Sequence, residues 1–121
     1  MGKRWYAAHI IMLVQFKDLV QDTFPLWENI VLIEAESSEE ADDKARRLGK
    51  DAEGDSAGTF CWDDRPATWV FAGIRKLIEC QDSEIAPRDG VEISYSQLVV
   101  QDKASVNKLV QGVPVTVLYE E

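Results

Sequence analysis

At 121 residues the chain fits a single domain, and a chain of this size buries enough surface for one core without disulfide or metal staples. Its 45% hydrophobic and 29% charged content is that of a globular protein and argues against wholesale disorder. The 22 acidic and 13 basic side chains leave a net charge of −9. That field repels phosphate backbones and anionic lipid, and no Lys/Arg-rich run offsets it, so neither nucleic acid nor membrane is an expected partner.

The opening MGKRWYAAHIIMLV combines basic residues with an apolar run, as a secretory leader does. His9 interrupts the run, Gln15, Lys17 and Asp18 close it, and no small-residue cleavage site follows. It is also shorter than the ~18–20 residues that span a bilayer. A cytoplasmic protein is the expectation. Within residues 4–16 the even positions Tyr6, Ala8, Ile10, Met12, Val14 and Phe16 are all apolar, whereas the odd positions mix Trp5, Ala7, Ile11 and Leu13 with His9 and Gln15. Period two of this kind predicts a strand with one buried face and one partly covered face.

A turn at 17–23 leads to a second predicted strand, 24–35, with Pro25 near its start, where a missing N–H is tolerated. The two runs are expected to form an antiparallel hairpin. Ser37-Ser38-Glu39-Glu40 is a capping box, in which Ser37 accepts from the Glu40 amide while Glu40 reaches back. Ala41, Ala45, Leu48 and Ala52 then recur at helical spacing, a narrow stripe of small residues suited to lying close on a sheet. Gly49 or Gly54 is the expected end.

A short strand is predicted at 59–62, a tight turn at Asp63-Asp64-Arg65-Pro66, and a long strand at 67–81. The next strand, 91–101, shifts its apolar phase and implies a bulge near Ser96–Gln97. Asp102 caps a short helix that Gly112 ends, and 113–119 is the last strand. The expected class is α+β: an antiparallel sheet of five to six strands with one long and one short helix, in the order β-β-α-β-β-β-α-β. With the first and third strands set aside, this order is ferredoxin-like; the alternative is an antiparallel meander with both helices on one face.

WYAAHIIMLV, FPLWENIVLIEA and SSEEADDKARRLG, taken together, resemble a small bacterial family known only as a domain of unknown function. Its members have a Trp-Tyr opening strand, an aromatic-Trp-Glu-Asn stretch and a capped EEA…KA…G helix. The likeness covers residues 4–50 and touches Trp69–Gly73 and Gly112–Tyr119, leaving out 51–66. It implies a bacterial or phage-borne domain and carries no activity, substrate or catalytic residue with it.

Chemistry is sparse along the chain. Nucleophilic catalysis needs a base beside the nucleophile, and the single histidine, His9, reads as a hydrogen-bonded structural residue in an apolar strand. Asp63-Asp64, with Cys61 nearby, has no metal-ligand spacing, and its position beside Arg65 suits a turn with an Arg–Asp pair. No glycine-rich phosphate loop occurs. Cys61 and Cys80 belong to no metal or redox motif and read as buried, reduced thiols. No catalytic residue, metal or cofactor is assigned.

Trp5, Trp27, Trp62 and Trp69 all fall in predicted strands. Trp5 shares a face with His9, and Trp27 shares one with Asn29, with Glu28 opposite. Were those faces to align, Trp5, His9, Trp27, Glu28 and Asn29 would form an aromatic ligand site with polar handles. The bland alternative is that the tryptophans are core. The leading functional expectation is a non-catalytic binding or interaction domain that self-associates through a sheet face or edge, because the second face of the first strand needs a cover. A small enzyme or ligand sensor using a pocket around Trp27 and His9 is the alternative. A third is an acidic inhibitor of a basic toxin or nuclease, motivated by charge alone.

Overall fold

Alternation dictates the first element. The computed structural model describes residues 2–18 and 20–120, so Met1 of the opening run, Leu19 of the expected turn and Glu121 lie outside the described residues. Arg4–Phe16 is a 13-residue strand, β1, and each of its even side chains from Tyr6 to Phe16 is buried. The second strand, β2 (Leu26–Ala35), pairs antiparallel to it, with Arg4 opposite Ala35 and Leu13 opposite Leu26. The expected hairpin therefore forms. Directly opposed residues share a face. Trp27, Asn29, Val31 and Ile33 accordingly lie with the even side chains of β1, while Leu26, Glu28, Ile30, Leu32 and Glu34 lie with the odd ones.

The helix α1 (Ser38–Asp51) covers the first of these faces. Ser37 caps it, its hydroxyl accepting from the Glu40 amide at 3.1 Å, and the Glu40 carboxylate pairs with Lys44 at 3.3 Å. Ala41 and Ala45 are buried against Tyr6, Ala8, Ile10, Met12, Ile33 and Ala35. Small side chains let the helix approach the sheet closely, and Gly49 extends that logic. A Cβ at Gly49 would stand 2.3 Å from the Phe71 ring. Gly49 is thus a buried contact within the helix, which ends with Ala52 as its C-cap; neither Gly49 nor Gly54 ends it.

β3 (Cys61–Trp62) and β4 (Arg65–Glu79) complete an antiparallel sheet of order β2-β1-β4-β3. The turn between them holds Asp63 and Asp64 at φ of 51° and 59°, a left-handed conformation that Asp tolerates better than most residues. Arg65 takes its carboxylate partner from elsewhere: it forks onto Asp18 at 2.5 and 3.1 Å and lies over the Phe16 ring. Along β1 the β4 register slips twice, between His9 and Ile10 and between Ile11 and Met12. Ala72 and Arg75 are the extra residues. The first slip inverts the face pattern of β4 and the second restores it, so Trp69, Phe71, Ile74 and Leu77 all pack on the helix side.

The last third departs from expectation. The strand predicted at 91–101 shrinks to β5 (Leu98–Val99), and the one at 113–119 to β6 (Leu118–Tyr119). These pair only with each other. The anticipated bulge near Ser96–Gln97 is instead an irregular stretch, because Ser94, Tyr95 and Ser96 bond to side chains of β1 and β4 rather than to a strand ladder. With β5 and β6 outside the main sheet, the ferredoxin-like arrangement is not adopted, although the α+β class and the element order are as read. Between them α2 (Lys103–Gln111) starts at the Asp102 cap and ends at Gly112, whose φ is 76°. No side chain of α2 is buried.

Candidate functional site

The face of the sheet turned away from α1 carries the polar centre of the molecule. His9, in the middle of β1, is only 1% exposed. A charged or polar side chain enclosed to that degree requires partners at every polar atom, and the register supplies them. Glu28, from β2, meets Nδ1 at 2.8 Å; Ser94, from the irregular stretch, meets Nε2 at 2.5 Å. Arg75, the residue extruded by a register slip, donates Nε–H to the same Glu28 oxygen at 2.6 Å. It also reaches the Ser96 hydroxyl at 3.4 Å and lies over the Tyr119 ring at 4.5 Å. Lys76 donates to the Tyr95 carbonyl and stands above the Tyr95 ring.

Burial alone would push the Glu28 carboxyl up, but the hydrogen bonds from Arg75 and His9 outweigh it and hold the pKa below its ordinary value of 4.5. An ionised carboxylate only accepts, so the His9 Nδ1 must donate to it. The order Glu28–His9–Ser94 is that of a carboxylate–imidazole–hydroxyl chain. Here the imidazole in its middle is buried, Ser94 is half-buried and Glu28 is the open end. What the arrangement does is fasten residues 94–96 across β1 and β4. Because the folded-state pKa is lowered, this stabilisation is present above the unfolded glutamate value and lost as pH falls through the folded one. The denaturation midpoint should therefore fall more steeply below about pH 4.5 in the native chain than in Glu28→Gln. Parallel titration curves for the two proteins would remove Glu28 from the account.

The five residues read as a joint ligand site do not come together. His9 and Glu28 touch, and Trp5 lies on their face, four residues before His9 on β1. Trp27 and Asn29 are on the opposite face, beside Met12 and Ile10. Trp27 joins an aromatic group instead, 4.7 Å from Trp69 and 6.4 Å from Trp62, with Phe60 stacked on Trp69 at 5.2 Å. This group seats the 51–62 loop against Val14, Phe16 and Ala67, and Gly54 bridges to Trp69. Sequence reasoning missed Arg75, Ser94 and Ser96. Arg75 and Lys76 side by side in an otherwise apolar run were the available signal, since charged side chains there must find partners. Of the cysteines, Cys80 is buried, which pushes its thiol pKa up, whereas Cys61 is exposed because its short strand lies at the sheet margin.

Beside the polar centre the face is apolar and open. Leu26, Ile30 and Leu32 of β2 are 55%, 50% and 41% exposed. The outer edge of the same strand is partly closed: Lys44 of α1 donates to the Glu34 carbonyl at 2.7 Å across a groove of about 390 Å³ lined by Trp5, Leu32, Arg47 and Leu48. A lysine laid on an edge strand is a recognised block to sheet extension.

Among the described residues no helix is long and apolar enough to cross a membrane, and no three His, Cys, Asp or Glu side chains converge as a metal-binding group. Fold and site together define a small two-layer α+β domain, with one capped helix on four antiparallel strands and, on the far face, a buried histidine held by a more open Glu–Arg pair. The chain belongs to the family described as Domain of unknown function (DUF4288), whose model matches residues 5–96. The match takes in the 51–66 loop and both serines of the polar centre, and stops before β5 and α2. No curated protein and no solved structure matches the chain.

Proposed function

We propose that this domain is a non-catalytic interaction module that self-associates through the open face of β2. The observation that supports this reading is the row Leu26, Ile30, Leu32, exposed on a face whose neighbouring β1 residues Ala7 and His9 are fully covered. Ile30 and Leu32 are neighbours on that face and Leu26 lies beyond Glu28, and exposed apolar side chains grouped in this way mark association surfaces. The Lys44 cap on Glu34 favours the face of the strand over its edge. A second copy is the fitting occupant because a two-fold axis lets one surface serve both partners. The polar centre has a supporting role: it holds residues 94–96 over β1 and β4 and leaves β2 bare.

Light scattering after gel filtration, run across a hundredfold range of loading, tests the proposal. The native chain is expected to move from monomer to dimer mass, and Ile30→Glu to remain monomeric with an unchanged circular dichroism spectrum and melting curve. A native chain that is monomeric throughout sinks the reading.

A further inference from the structure

Among the exposed apolar side chains, two groups complement each other. One is the Leu26–Ile30–Leu32 row. The other is the stripe on α2 made by Val106, Leu109 and Val110, which are 39%, 41% and 81% exposed. Their spacing of three and four residues places them on one side of the helix. An amphipathic helix with an unburied stripe is stable only marginally by itself, since nine residues fall short of what an isolated helix needs. Its caps at Asp102 and Gly112 hold the ends; the stripe still lacks a partner.

From this we infer that α2 of one molecule docks on the β2 row of a second, and the second returns its own α2 to the first. The inference rests on the self-association reading and specifies its geometry. Charge supports the match. Lys103 lies three residues before Val106, on the flank of the stripe, whereas the β2 face presents Glu34 at the end of the apolar row. Glu28 on that face is already held by Arg75 and His9, which leaves Glu34 to meet a lysine at the rim. Dimensions agree for the inner part of the row. The stripe from Val106 to Val110 rises about 6 Å at ~1.5 Å per residue, and Ile30 and Leu32 lie about 7 Å apart along their strand at ~3.3 Å per residue. Reciprocal exchange buries both stripes and both rows, doubling the area that either contact alone would supply.

The docking also fits the way the tail is tethered. Residues 94–96 and Tyr119 are fixed to β1 and β4 by the polar centre, so α2 emerges between two anchored points. Such a loop presents its helix in a restricted orientation, which lowers the entropy lost on association.

Cross-linking separates this arrangement from its competitors. In a Cys61→Ser background, Ile30→Cys and Val110→Cys chains are prepared singly, mixed and mildly oxidised. The expected result is a covalent dimer in the mixture and little in either chain alone. In the same background Val110→Asp should weaken dimerisation about tenfold or more. A covalent dimer from Ile30→Cys alone means that the rows pack on each other, and overturns the inference. An internal cross-link in a monomeric Ile30→Cys/Val110→Cys double variant means that α2 folds back on its own sheet, and overturns it too. Failure of the mixture to cross-link while light scattering still reports a dimer removes the α2 geometry and keeps the self-association reading; a monomer at every loading removes both.

Discussion

Replacing His9 by alanine should lower the unfolding free energy by about 3–5 kcal/mol. The change removes a side chain that is fully enclosed and leaves a cavity among residues that cannot collapse freely, since β1 is held on both sides by strands. It also strips Glu28 of one of its two charged or polar donors and leaves the Ser94 hydroxyl facing the void. His9→Gln should cost less, about 1–3 kcal/mol, because an amide can still donate to Glu28. Denaturant unfolding at pH 7 measures both. Hydrogen exchange supplies the local signature: amides of residues 91–97 should lose protection in His9→Ala before those of α1 do. A loss under about 1 kcal/mol, with 91–97 still protected, would show that the polar centre does not fasten that stretch.

The second large effect is expected at Gly49. Alanine normally improves a helix interior by about 1 kcal/mol over glycine. At this position the new methyl would stand 2.3 Å from one Phe71 ring carbon and 2.9 Å from the ring atom nearest the backbone. The ring cannot yield by moving its far end alone, so α1 must lift from β4. Overpacking of this kind typically costs about 1–3 kcal/mol, and the helical gain offsets only part of that. Gly49→Ala should therefore destabilise the protein, and Gly49→Val more so. Combining Gly49→Ala with Phe71→Leu checks the cause, since the pair should cost less than the sum of its parts. Strict additivity would place the damage elsewhere.

Much of the frame was legible in the order of residues. The alternation of β1, the Ser37 cap, the Ala41/Ala45 stripe and the Asp102–Gly112 bracket around α2 are local signals, each expressed within a few residues, and the structure realises them. What escaped reading was set by distance along the chain. His9 and Ser94 are 85 positions apart, and Arg75 and Glu28 are 47 apart; no periodicity links them. The tail was misjudged for a related reason. Apolar residues at 91–101 look like strand material, yet the side chains of His9, Arg75 and Lys76 compete for the groups a ladder would use. The five candidate ligand residues are divided by alternation and by register: period two sends Trp27 and Asn29 to the face opposite Glu28, and the hairpin register, which composition does not fix, sets His9 on the Glu28 side.

The paired register slips in β4 have an outcome for how this chain can change length. Loss of Ala72 alone would remove one bulge and leave Gly73, Ile74, Lys76 and Leu77 opposite their present β1 partners. Loss of Arg75 alone would keep the register in the same way but take away the donor that holds Glu28. Single-residue gaps at these two positions should therefore be carried by the sheet, and only the one at Arg75 should cost the polar centre a contact.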